Sequence, residues 1–355
     1  MEKLEPPEKI SYKLKFAMLI VVFIAVFLAS FVLGRYDISL VDLIKIWVNR
    51  LLGALGHIFG QSWGLERTWK SAAETVAMSV RLPRVIAAVV IGAALSTAGA
   101  SYQGMFRNPM VSPDILGAST AAGFGAALGI LLGFHYVWIV VASFCFGLGA
   151  VFIAYAISRA SKLNTTLSMV LSGIMVSSLF TAGTSFIKLV ADTDDQLPAI
   201  TYWLMGSLSS IRGQDALFVS ILVILGLIPL VLLRWRINLL TVSEEEAKSL
   251  GINTGRLRFA VIVCATFITA AAVSVSGMIG WVGLVIPHFC RLLFGYDYKR
   301  LIPASILFGG AFVLIVDDLA RTVTTAEIPL GILTAFVGAP VFVWLILRGG
   351  TAREN

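Results

Sequence analysis

The sequence predicts an all-α, polytopic integral membrane protein of about ten transmembrane helices. Three observations carry this. The 355-residue chain is 58% hydrophobic, with a mean hydropathy of +0.91. Only 13% of its residues are charged, against ~25% in soluble domains, too few to cover a soluble surface. The apolar residues also come in runs of roughly 20, the length that carries a helix across the hydrocarbon core. Backbone groups in lipid must be satisfied internally, which excludes open sheets, and barrel strands would alternate rather than run apolar. The chain reads as one transmembrane domain over 1–355.

The spans are expected near 16–33, 85–106, 114–134, 137–158, 166–187, 215–233, 259–277, 280–294, 301–320 and 329–347. The first is flanked by Lys13 and Lys15. Its apolar run exceeds that of a signal peptide and "VFLAS" is a poor cleavage site, so a retained helix is expected. Segment 34–84 is the connection before the second span. Its "SLVDLIKIWVNRLLGAL" has apolar residues at helical spacing with Lys45, Asn49 and Arg50 between them. It either lies on the outer membrane surface or packs on the bundle. "QSWGLERTW" has the composition of an interfacial aromatic loop. At "RLPR", Pro83 favours a helix start. Pro109 and Pro113 break the chain after the second span. In the fifth span Thr165, Ser168 and Ser172 share one face, while Ser178, Thr181 and Ser185 fall roughly opposite, so no continuous polar stripe is expected. The 280–294 segment is short and contains Pro287, which predicts a broken or steeply tilted helix.

Orientation follows from Lys and Arg. An N-in, C-in topology puts the N-terminal lysines, Arg107, Arg159, Lys162 and the basic residues from Arg234 to Arg258 in the cytoplasm. Its short outer loops hold only Lys188, Arg212 and Arg321. The positive-inside bias favours that topology. Inner-facing basic residues beside anionic lipid account for the pI without any nucleic-acid partner. Cys145, Cys264 and Cys290 show no CxxC spacing and read as packing residues.

Between the sixth and seventh apolar runs lies "TVSEEEAKSLGINTGRLR", residues 241–258. Ser243 opens an S-x-x-E capping box with Glu246. Glu244 and Glu245 suit the first turn, Lys248 the last, and Gly251 the position just past the end. A two-turn helix exposed to the cytoplasm is expected, either a solvated loop or a dock for a soluble protein. The chain has no G-x-x-x-x-G-K-[ST] nucleotide loop, no HExxH and no Cys/His cluster. No catalytic or metal site is read from it, and His288 reads as a packing residue. Apart from Asp317 and Asp318 near the outer end of the ninth span, the spans lack the ionisable chains of an ion-driven pump. A transport pathway powered by another subunit is therefore favoured over an ion-coupled secondary transporter or an integral-membrane enzyme.

Four stretches resemble one known family. They are "SEEEAKSLGINTGRLR", "RLPRVIAAVVIGAALSTAGASYQGMFRNPMVSPDILGAS" (81–119), "SGMIGWVGLVIPHFCRLLFGYDYKRLIPAS" (276–305) and "EIPLGILTAFVGAPVFVWLILR" (327–348). In family order they resemble the FecCD-type permeases of ABC importers, which move iron-siderophores, haem and cobalamin across the cytoplasmic (inner) membrane of prokaryotes. The resemblance implies an ATPase-coupling helix at Ser243, Glu244, Glu245, Glu246, Lys248, Leu250 and Gly251, within a cytoplasmic coupling loop at 241–258. It implies that Arg81, Arg84 and Arg321 meet acidic side chains of an extracytoplasmic binding protein. It places a cytoplasmic gate at Asn108 and Met110, with Thr165 and Thr166 as candidates for a second gate element. The implied partners are a second permease copy and two ATP-binding subunits. ATP and Mg would sit on those subunits, with no cofactor on this chain.

Overall fold

The computed structural model describes residues 11–59, 63–162, 165–242, 244–249, 251 and 253–351. Among them every regular element is a helix. In chain order these are α1 (Tyr12–Val32), α2 (Leu40–Phe59), α3 (Ser71–Thr75), α4 (Leu82–Phe106), α5 (Ala118–Leu131), α6 (Tyr136–Ala160), α7 (Thr165–Val190), α8 (Gln196–Met205), α9 (Gly213–Thr241), α10 (Glu244–Ser249), α11 (Thr254–Ser276), α12 (Val282–Phe294), α13 (Tyr298–Thr322) and α14 (Leu330–Thr351). A helix lies on every apolar run expected to span. Seven helical segments are long and apolar enough to cross a membrane, whereas α5, α12 and α14 contribute shorter apolar helices.

The hub is α4, which packs on α13, α9, α11 and α12. Its sequence explains this: Ala, Gly and Ser alternate with Val and Ile, so neighbouring backbones come close on all sides. At Gly92 a Cβ would lie 2.1 Å from the Gly309 carbonyl oxygen, and at Gly99 1.8 Å from that of Gly283. No side chain fits at either crossing. Polar groups on the hub are spent between helices. Ser96 donates to the Ser305 carbonyl at 2.7 Å, and the Tyr102 hydroxyl lies 2.7 Å from that of Thr266. Helix α1 packs on the outside of α13, while α5, α6 and α7 form a second layer joined to the hub through α11.

Pro83 and Pro287 both sit in helices that accommodate them. Pro83 stands at the second position of α4, in the first turn as expected, but the chain enters it already helical. Chain 71–106 is one helical segment, and Val76–Arg81 within it is a π-helical turn in which the Leu82 N–H reaches back to Ala77. A proline inside a helix removes an N–H and crowds the carbonyl four residues back. The wide turn just before Pro83 lets the helix run through. Pro287, for its part, does not break α12. The break lies upstream, where Gly277 and Trp281 take φ of 70° and 69°. Pro287 leaves the Gly283 carbonyl without its usual helical donor, and the Gln103 amide of α4 reaches that oxygen at 3.3 Å.

Candidate functional site

Three places in the bundle bear on function. At one end, here the arginine end, the structure brings Arg81, Arg84 and Arg321 together around one cleft with Glu327 and Tyr36. The resemblance assigns them a partner outside the chain; within the chain their side chains are already engaged. The three are only 3–7% exposed, and each is bound within the chain. The Arg84 Nε sits 2.9 Å from both carboxylate oxygens of Asp317, while its two Nη atoms reach Glu327 at 3.0 and 2.9 Å. Arg321 pairs with Asp318 and donates to the Ser30 carbonyl; Ser30 Oγ donates to Asp318 at 2.7 Å. Arg81 donates to the Phe31 carbonyl in the last turn of α1 and to the Tyr36 carbonyl just past its end.

The physical reason is balance. Three cations face three anions, Asp317, Asp318 and Glu327, in a site where an unpaired charge would be costly. The planar guanidinium fork lets Arg84 hold two carboxylates at once. The network therefore clamps the ends of α1, α4 and α13 on this side to the segment before α14. Arg35, which the sequence reading passed over, is exposed at the same mouth and donates to the Thr324 carbonyl at 2.8 Å.

The second place is a cleft of about 480 Å3 along α7, lined by Asp114, Ile115, Ile174, Ser177, Thr181 and Ser185 among others. The two-faced reading of this helix agrees with the structure. Ser168 and Ser172 are buried, with Ser168 Oγ donating to the Ser158 carbonyl at 3.2 Å. Ser178, Thr181 and Ser185 are exposed, each donating to the carbonyl four residues back. Helix α7 begins at Thr165, and Thr166 is half-buried there.

The third place is the opposite end. Arg107 ends α4 in the left-handed region at φ 53°. The turn that follows carries Asn108 and Met110, both exposed, and Asn108 Oδ1 accepts the Met110 N–H at 2.9 Å. Next to this turn stands α10, packed against α9 and α11 with Ala247 buried under it. It occupies Glu244–Ser249, as the sequence predicts. Gly251 takes φ +74°, the left-handed conformation expected just past a helix end. Glu246 is exposed. Ser243 and Leu250 fall outside the described residues, and so does the capping box that rests on Ser243. The side chains of Glu244, Glu245, Lys248 and Thr165 also lie outside the description.

Two connections at this end were not read from the sequence. Arg107 Nε donates to the Leu240 carbonyl at 2.8 Å, which ties the Asn108 turn to the chain entering α10. Asn238 bridges α9 to the start of α13, donating to Asp297 Oδ1 at 2.8 Å and accepting the Tyr298 N–H at 2.9 Å. Burial pushes the Asp297 carboxyl up. The Lys299 N–H, the Asn238 amide and the charges of Lys299 and Arg300 outweigh it and hold the group below the usual carboxylate range. A polar side chain bonding a partner distant in sequence leaves no periodic trace, so neither link was legible.

Comparison with known proteins gives this architecture a family. The FecCD transport family matches residues 20–348. A putative ABC transporter permease of Methanocaldococcus jannaschii is 38% identical over 354 residues, covering 96% of this chain and 97% of its own. The molybdate import system permease MolB of Haemophilus influenzae is 39% identical over 280 residues (78% of this chain, 83% of its own). The cobalamin import permease BtuC of Halobacterium salinarum is 39% identical over 275 residues (77% and 74%). Among solved structures, an inward-facing putative metal-chelate type ABC transporter superposes with a TM-score of 0.83 at 34% identity, covering 95% of this chain and 99% of its own. With a helical bundle matched along nearly its whole length and with the family's motifs in order, this chain is a membrane-embedded ABC permease belonging to the FecCD transport family.

Proposed function

We propose that the chain carries a metal chelate of the siderophore, haem or cobalamin type, as one of two copies that meet along α7. The observation that supports this is the α7 cleft: open, lined by hydroxyls and apolar groups with Asp114 as its one carboxylate, on the α5–α7 layer, away from the helices on which α1 packs. Such a surface offers weak contacts to a bulky amphipathic cargo and no strong trap. Two ATP-binding subunits dock on α10, and a binding protein delivers cargo at the arginine end, which faces outward. Arg35 and the exposed edge of Glu327 are what that mouth presents to it. The permease hydrolyses no ATP. Closure of the ATPase pair displaces α10, and the Arg107–Leu240 link passes the displacement to the Asn108–Met110 turn. The balance between inward- and outward-open arrangements shifts as a result. The relative named as a molybdate permease supports a second cargo reading, a small oxyanion.

Co-purification tests the coupling. The chain is expressed with its ATPase, as wild type and as Glu245→Arg plus Glu246→Arg. The ATPase is expected to follow the wild type and to be lost from the variant; equal retention by both rules out α10 as the dock. ATP-dependent uptake into vesicles, compared for a ferric hydroxamate, haemin, cobalamin and molybdate, then decides the cargo.

A further inference from the structure

Helix α2 has three sides. At about 100° per residue, Leu43, Ile46 and Trp47 share one sector. Leu43 and Ile46 are 2% and 1% exposed, and the Trp47 ring meets Phe31 of α1 edge-on at 4.7 Å. A second sector holds Asp42, Lys45 and Asn49. The returning chain covers it, with Lys45 Nζ donating to Thr68 at 3.0 Å and Asn49 Oδ1 accepting the Leu65 N–H at 2.8 Å. The third sector, an arc of about 100°, is Leu40, Ile44, Val48, Leu51, Ile58 and Phe59. These side chains are 40–74% exposed, and no described part of the chain covers them.

What covers that sector is decided by its surroundings. Helix α1 is a membrane-crossing helix whose outer surface, including Met18, Val21 and Leu28, is exposed and apolar. Exposed Leu33 at its end and exposed Leu40 at the start of α2 continue that lipid-facing surface directly into the third sector. At the far end of α2, Phe59 and Trp63 are both exposed with rings 5.9 Å apart, a pairing suited to the headgroup level. With Asp42, Lys45 and Arg50 along it, α2 is not among the helices apolar enough to cross. It lies on the α1 and α13 side of the bundle, whereas α7 lies with α5 and α6. A second copy meeting at α7 therefore leaves it uncovered.

We propose that α2 is an interfacial helix, laying its Leu40–Ile44–Val48–Leu51–Ile58 sector on the lipid leaflet at the arginine end. Buried apolar area is what holds such a helix at the headgroup–acyl boundary. Helix α2 then rests on the membrane, while Gly34, Arg35 and Tyr36 before it line the mouth.

Nitroxide scanning of the assembled transporter in phosphatidylethanolamine–phosphatidylglycerol nanodiscs tests this. The native cysteines are replaced, and single cysteines are placed at Ile44, Val48 and Leu51, with Asp42 and Gly53 as controls on the polar side. Oxygen accessibility is expected to exceed that of a water-soluble nickel chelate severalfold at 44, 48 and 51, with the order reversed at 42 and 53. Nickel dominance at 44, 48 and 51 overturns the proposal in favour of a surface open to water or a binding protein. Strong label–label coupling between copies overturns it in favour of a dimer contact. On the unsubstituted chain, a diazirine-bearing phospholipid is expected to crosslink peptides from 40–51 as it does α1. Crosslinking of α1 without α2 also overturns it.

Discussion

The arginine end and the α10 end of this bundle handle charge in opposite ways. At the arginine end, Arg84, Arg321, Asp317 and Asp318 are buried in mutual contact, and Glu327 closes the set. At the α10 end most charged groups stay near the surface, with Arg291 buried beside Tyr298 as the exception, and the links run to backbone carbonyls or through Asn238. A buried, balanced network is rigid because any rearrangement strands a charge. A single bond from an exposed arginine to a carbonyl is worth about 1 kcal/mol and can be exchanged with water. The first end is built to hold position and the second to be moved.

Substitutions that break this contrast should differ most in size. Asp317→Ala leaves Arg84 and Arg321 facing a gap in a site only 1% exposed for that carboxylate, and should cost about 3–5 kcal/mol, read as a large fall in thermal stability in nanodiscs. Arg84→Lys keeps the charge and loses the fork across Asp317 and Glu327. About 2 kcal/mol is expected by the same assay; a shift as small as that of a surface mutation would mean that the network is not a clamp. Arg107→Ala should leave stability within about 1 kcal/mol and ATPase binding intact, yet lower ATP-driven uptake. Unchanged uptake would remove the link from the mechanism. Arg35→Glu should be neutral in stability and slow binding-protein association, most at low salt.

The smallest effect concerns Asp297. Its carboxyl is held below the ordinary range, so its contribution to stability is complete above the unfolded-state value of about 4 and is lost as pH falls through the lower folded-state value. Asp297→Asn should therefore be slightly less stable than wild type at neutral pH. The gap in melting temperature should close on acidification; a gap that widens would reverse the sign.

The sequence made the bundle legible because lipid allows few solutions: each apolar run became a helix, and "SEEEAKSLG" became α10. It also separated Ser168 and Ser172 from Ser178, Thr181 and Ser185 on α7. The state of the arginines was harder to read. "RLPR" and Asp317–Asp318 lie more than 230 residues apart, and only packing brings them into one neutral cluster. The pairing of the arginines with buried carboxylates of the same chain carries no local signal in either stretch. How the two prolines are accommodated was hidden for a related reason. A π-turn and a glutamine from another helix compensate for the prolines, and neither follows from local propensity.

The π-turn at Val76–Arg81 has a consequence for how the chain tolerates length changes. It holds one residue more than an α-turn needs. Deleting a single residue there would restore ordinary winding and swing Ser71–Thr75 about 100° around the axis. Glu74 would turn away from Arg50 of α2 and from Arg67, its partners at 3.0 and 2.7 Å, while α4 below kept its packing. The turn thus acts as a phase adjuster. It sets the azimuth of Ser71–Thr75 independently of the hub, while α2 stays held on α1 through Leu43, Ile46 and Trp47.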